Sequence, residues 1–132
     1  VGERAQGTFI VDQWEPETPY DQHEGVELGH TVIRKVFDGD LVGTSEVHMT
    51  SAVVPATGTA AYVAFERVHG TLHGRKGSFV LQHHATANGD EGSLDIVVVP
   101  NTGTGDLVGL TGTLEITKTG DDHTWSLDYR LP

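Results

Sequence analysis

Apolar and polar positions alternate along most of this chain with a period of two, the pattern of strands that lay one face on a core. The clearest run is His123 to Leu131, where Trp125, Leu127, Tyr129 and Leu131 share one face and Thr124, Ser126, Asp128 and Arg130 the other. A first strand is predicted over Thr8 to Trp14, ending at Glu15-Pro16 because proline cannot donate to a ladder. Thr18 to Gly25 reads as a loop, Leu28 to Phe37 as a second strand, and Asp38-Gly39-Asp40 as a tight hairpin turn. Further strands are predicted over Leu41 to Val54, Thr59 to about Leu72, Ser78 to Ala87 and Ser93 to Val99. They are separated by turns at Pro55-Ala56-Thr57-Gly58, His73 to Gly77 and Asn88-Gly89-Asp90, and Pro100 stops the last. Asn101 to Gly105 is expected to wrap around the outside, Asp106 to Leu110 to take one helical turn, and Thr113 to Thr117 to resume as a strand before Gly120-Asp121-Asp122. No long segment repeats apolar residues at helical spacing, so the expected class is all-β.

Eight strands in a meander leave two exposed edges if the sheet stays open, and closure into an antiparallel barrel removes both. A single β-barrel domain over residues 1–132 is therefore expected, of a size that one core suffices to stabilise. Ala52 to Val54 and Ile96 to Val99 are apolar on both faces, which predicts cover from loops or from another subunit, hence a homo-oligomer.

Composition narrows the function. Nineteen acidic against eight basic residues give a formal charge of −11, which repels a phosphate backbone and argues against nucleic acid as a partner. The longest aliphatic run, Ile96 to Val99, is strand-sized, so no membrane helix is expected. Val1-Gly2-Glu3-Arg4 lacks the pattern of a secretory signal, and the absence of cysteine excludes disulfides and thiol chemistry, so a soluble cytoplasmic protein is the expectation.

Candidate chemistry concentrates in the hairpin that turns near Arg75, where polar residues interrupt apolar strands. A turn centred there pairs Glu66 with His84 and Arg67 with His83, within a residue or two. One face then carries Tyr62, Ala64, Glu66, Val68, Val80, Gln82 and His84, the other Val63, Phe65, Arg67, His69, Phe79, Leu81 and His83. Both faces are mixed, and the period leaves open which one lines the lumen. If Glu66 points into an apolar lumen, desolvation is expected to raise its pKa and make it a general acid or base, partnered by His83, His84, His48 or Gln82, with Tyr62 as a donor. Otherwise Glu66 and Arg67 are cross-strand ion pairs that fix the register. Trp14, Tyr62, Phe65 and Phe79, with Met49, Gln82 and Arg67, are the expected lining of a pocket for a small apolar molecule, although core packing accounts for the aromatics equally well. No metal site is expected: His69 and His73 on one strand stand about 13 Å apart, and His83 and His84 point to opposite faces. No Gly-x-Ser-x-Gly elbow is present, and Gly103-Thr104-Gly105 lacks the lysine and helix of a phosphate-binding loop.

Several segments together resemble the DUF3224 family of bacterial proteins. They are Gly7-Thr8-Phe9-Ile10-Val11 with Trp14, Val36-Phe37-Asp38-Gly39-Asp40 through Ser45, Tyr62 through Leu72, Gly74 through His83, and Val99-Pro100-Asn101 through Gly112. The pattern covers most of Gly7 to Gly112, and the last strand, Trp125 to Leu131, falls outside it. The resemblance implies an eight-stranded barrel like that of allene oxide cyclase, lipocalin-like in form. It also implies a small-molecule binder that acts without a cofactor, as a cyclase or isomerase on an apolar metabolite such as a polyketide or an oxidised lipid. The pocket cysteine of allene oxide cyclase has no equivalent here, and none of its active residues is carried over. The alternative is a non-catalytic carrier or a structural, oligomerising barrel.

Overall fold

The computed structural model describes residues 2–132, and among them nine strands form one antiparallel sheet that closes on itself. In chain order the strands are β1 (Glu3–Pro16), β2 (Asp21–His23), β3 (Val26–Gly39), β4 (Leu41–Val54), β5 (Thr59–Leu72), β6 (Arg75–Asn88), β7 (Glu91–Val98), β8 (Thr111–Thr119) and β9 (Asp122–Arg130). Each pairs with its neighbours in sequence from β3 to β9, β9 returns to β1, and β1 closes the ring against β3. The barrel proper thus has the eight strands expected, and β2 is a three-residue addition to β3 inside the segment predicted as a loop. Among the described residues no helix is long and apolar enough to cross a membrane.

The first strand begins five residues earlier than the alternation suggests, because Glu3 to Gly7 is polar except for Ala5, whose small side chain is fully buried against β9. A bulge at Asp12 shifts the β1–β3 register, and beyond it Trp14 lies opposite Ile33 on the inner row. The helical turn expected over Asp106 to Leu110 is a 3-10 turn that begins one residue earlier and covers Gly105–Leu107.

The barrel is filled unequally. At the end that carries the β3–β4 and β5–β6 turns, Phe9, Phe37, Leu41, Leu72, Phe79, Trp125, Leu127 and Tyr129 pack into one core, and Leu107 and Leu110 plug it from the connection between β7 and β8. The inward face predicted for Trp125, Leu127 and Tyr129 is therefore the packed one. Two glycines allow the strands to coil this tightly: a Cβ at Gly43 would stand 2.1 Å from the carbonyl of His69, and one at Gly7 2.1 Å from that of Asp38. The same end is tied by a polar chain in which the Tyr129 hydroxyl donates to Glu3 (2.6 Å) while meeting His73 Nδ1 at 2.5 Å. Burial, reinforced by the Glu3 carboxylate, pushes the Tyr129 phenol up to about 12. Toward the other end the packed residues reduce to Ile33, Val47 and Ala64, with Met49 and Tyr62 half-buried beside them.

One seam in the wall is barely stitched. β7 and β8 pair only at Ile96–Leu114 and Val97–Thr113, whereas β5 and β6 pair along fourteen positions. Continuing the register toward the open end would set Asp95 directly opposite Glu115, and like charges at facing positions oppose pairing. Asp95 lies instead 3.7 Å from His84 on the β6 side. Replacing Asp95 with Lys is expected to bring opposite charges together and strengthen the seam by up to about 1 kcal/mol. Amide hydrogen exchange at Ser93–Asp95 and Glu115–Thr117 should slow several-fold, and unchanged exchange would show that sheet curvature rather than charge keeps the strands apart.

Candidate active site

The inner face of the barrel is decided by the β5–β6 turn. His73 and Gly74 both have positive φ (47° and 81°), which makes a two-residue turn with Leu72 paired to Arg75. The predicted turn was longer and centred near Arg75, and the difference moves every partner: Glu66 faces Leu81 rather than His84, and Arg67 faces Val80 rather than His83. Tyr62, Ala64, Glu66 and Val68 therefore share the lumen with Phe79, Leu81 and His83, a combination neither predicted face contained.

Four polar side chains meet inside, on three neighbouring strands and β6. Glu66 is 1% exposed. Its Oε1 accepts from His83 Nε2 at 2.8 Å and from Lys35 Nζ at 3.3 Å, and its Oε2 accepts from Ser45 Oγ at 2.5 Å. Lys35 in turn lies over the Phe9 ring at 4.6 Å. Lys35, Ser45 and His83 are themselves buried. The cluster sits where the packed half of the barrel gives way to the thin one, between Phe9, Phe37 and Leu81 on one side and Ile33, Val47 and Ala64 on the other.

The electrostatics reverse the expectation for Glu66. Burial does push its pKa up and is the largest single influence, but the hydrogen bond from His83, the charge of Lys35 and the hydroxyl of Ser45 together outweigh it and hold the carboxyl at about 2. Glu66 is thus a fixed anion at neutral pH and not a proton donor. An ionised carboxylate only accepts, so the His83 nitrogen facing it, Nε2, carries a proton, and Nδ1 is the nitrogen turned away from Glu66. Tyr62 is pushed up by burial and by the Glu66 charge, which keeps its phenol protonated as a donor.

Above the cluster the lumen is lined by small residues. Ala60, Tyr62, Ala85, Ala87 and Leu94 frame an apolar hollow of about 380 Å³ at the open end. Trp14, 58% exposed, stands on the inner row at the rim. Phe79 lies deep in the packed half and belongs to the core. His48, Phe65, Arg67, Gln82 and His84 are on the outer face, exposed, so the structure does not bring them to Glu66. The sequence reading missed Lys35 and Ser45. Each interrupts an inward row, Lys35 between Ile33 and Phe37 and Ser45 between Gly43 and Val47, and that interruption was the available signal.

Removing the Glu66 charge leaves Lys35 buried without its counter-ion. Glu66→Gln is expected to cost about 3–5 kcal/mol in chemical denaturation at neutral pH. Because the folded pKa lies below the ordinary 4.5, the carboxylate's contribution is complete above about pH 4.5 and fades as pH falls toward 2. The parent protein should lose stability across that window and the variant much less; parallel pH profiles of the two would contradict the assignment.

Comparison with known proteins agrees with this architecture. A search of curated proteins returns no match. A crystal structure of a protein of unknown function from the DUF3224 family of Shewanella oneidensis MR-1 superposes with a TM-score of 0.91 at 38% identity, covering 100% of this chain and 99% of the other. The family profile described as protein of unknown function (DUF3224) matches residues 5–129, and so takes in β9, which the resemblance read from sequence had left out. With nearly the whole length matched, the chain belongs to the DUF3224 family.

Proposed function

We propose that this barrel takes a small apolar molecule into the open half of its lumen and exchanges a proton with it through His83. The observation that carries the reading is the unequal filling of the barrel with an ionised group at the boundary. A barrel built only to be stable has no use for alanines at Ala60, Ala85 and Ala87 facing a hollow, nor for a carboxylate buried beside a lysine and a histidine. In this reading Glu66 is a positioning residue that fixes the His83 tautomer, as a buried carboxylate does for a general base. Tyr62 donates to a carbonyl or hydroxyl of the ligand, and Lys35 keeps Glu66 ionised. Shape and exclusion of water then bias the fate of the bound molecule, which is the chemistry of an isomerase or a cyclase acting on an apolar metabolite such as a polyketide or an oxidised lipid.

A carrier without chemistry is the second reading. It is favoured by the completeness of the polar network, since among the described residues no buried side-chain polar atom lacks a hydrogen-bond partner.

Two variants separate these readings. Ala85→Phe fills the hollow and is expected to abolish binding of N-phenyl-1-naphthylamine, a neutral fluorescent probe, while leaving the fold intact by circular dichroism. His83→Gln should keep the probe but stop deuterium entering any small molecule extracted from the purified protein after it is held in heavy water. Probe binding unaffected by Ala85→Phe would remove the lumen from consideration. Retention of ligand with no isotope uptake in the parent protein would leave a carrier.

A further inference from the structure

Four residues that sequence reasoning grouped around the lumen, or beside it, meet again on the outside. Across the outer faces of β3, β4, β5 and β6 runs a groove of about 750 Å³ lined by Arg34, Glu46, His48, Phe65, Arg67 and His69, with Asp12 at one rim and Val80 at the other. Its floor is a cross-strand row in which Arg34 faces Glu46 and Glu46 faces Arg67. One carboxylate thus lies between two guanidinium groups, and it is fully engaged away from the second. Glu46 Oε1 accepts from Arg34 Nε and Nη2 at 3.1 and 2.8 Å, and its Oε2 is 2.8 Å from His48 Nε2. Arg34 is held further by Gln13, at 3.0 Å. Among the described residues Arg67 makes no ion pair and no side-chain hydrogen bond. Asp12, the other carboxylate of the groove, stands on β1, three strand spacings or about 14 Å away.

Arg67 is therefore a free cation in a protein whose net charge is −11. Beside it on the same face of β5 are Phe65, 58% exposed, and His69, and His48 faces Phe65 from β4. A guanidinium presents a planar fork suited to a carboxylate, and an exposed phenyl ring one spacing away offers a surface for a flat apolar body. The volume is within the range of small-molecule sites.

We infer that the outer groove is a second binding site, separate from the lumen, for an aromatic carboxylate whose anion pairs with Arg67 and whose ring lies on Phe65. The ligand enters between the imidazoles of His48 and His69, which supply further polar contacts at the groove walls. Arg34 and Glu46 hold the floor rigid and prevent Arg67 from folding back on Glu46.

The test is a nuclear magnetic resonance titration of the whole chain with 2-naphthoate and, separately, with its neutral counterpart 2-naphthylmethanol. Naphthoate is expected to shift the Arg67 side-chain Nε–H, the Phe65 ring and the His48 and His69 imidazoles. Arg67→Leu should weaken it at least about tenfold, the loss expected for one charge-assisted pair. Arg67→Lys should retain part of the affinity, because a point charge remains without the fork. The Ala85→Phe variant of the lumen should bind naphthoate as the parent does, so failure of the lumen reading leaves this one standing. Equal affinity for the alcohol, shifts confined to Tyr62 and Leu94, or an Arg67→Leu variant that binds unchanged would each overturn the proposal. So would a change in sedimentation on Arg67→Leu with no change in naphthoate binding, which would make the groove a contact between copies.

Discussion

Strand register is the constraint on which this structure rests. Side chains alternate in and out along every strand, so a slip of one residue between β5 and β6 would expel His83 from the lumen and bring His84 in. The two-residue turn at His73-Gly74 prevents that slip, since only one register fits a turn with two positive-φ residues. The hydrogen bond from His83 to Glu66 then holds the same register from within. Geometry at the tip and chemistry in the middle of the hairpin specify a single answer, the agreement between levels that a well-defined native state requires.

The barrel divides its labour along its axis. Large aromatic and leucine side chains consolidate one end, where glycines at Gly7 and Gly43 permit the closest backbone approach. The other end is left thin. Burying Glu66, Lys35 and His83 together is tolerable because each charge or donor finds its complement within hydrogen-bond distance, and because Ser45 takes the remaining carboxylate oxygen. Had any one been absent, the balance that holds the carboxyl near 2 would tilt toward the effect of burial.

What the sequence disclosed follows from how local each signal is. The one-sided alternation of Trp125, Leu127 and Tyr129 is local, and all three are buried as the pattern requires. The turn residues Asp38-Gly39-Asp40 and Asn88-Gly89 are local too, and both mark hairpins. The partners of Glu66 are not. Lys35 and Ser45 lie 31 and 21 residues away in sequence and reach it only because β3, β4 and β5 are adjacent in the ring. A mis-set turn cost the reading its inner face, because period two turns a small error in loop length into an inversion of inside and outside. The direction of the Glu66 shift failed because desolvation was foreseeable from an apolar strand, whereas the compensating charges depend on which residues of the neighbouring strands share its inner row.

The loosely joined β7 and β8 have a consequence beyond the lumen. Unpaired main-chain groups along Ser93–Asp95 and Glu115–Thr117 are templates on which another chain's strand could add, the hazard that closed barrels otherwise avoid. Asp95 and Glu115 are both exposed at that edge, where two carboxylates disfavour the approach of another acidic copy. A slit in the wall thus carries acidic margins, and a substitution that removed both carboxylates would leave a bare strand edge open to pairing.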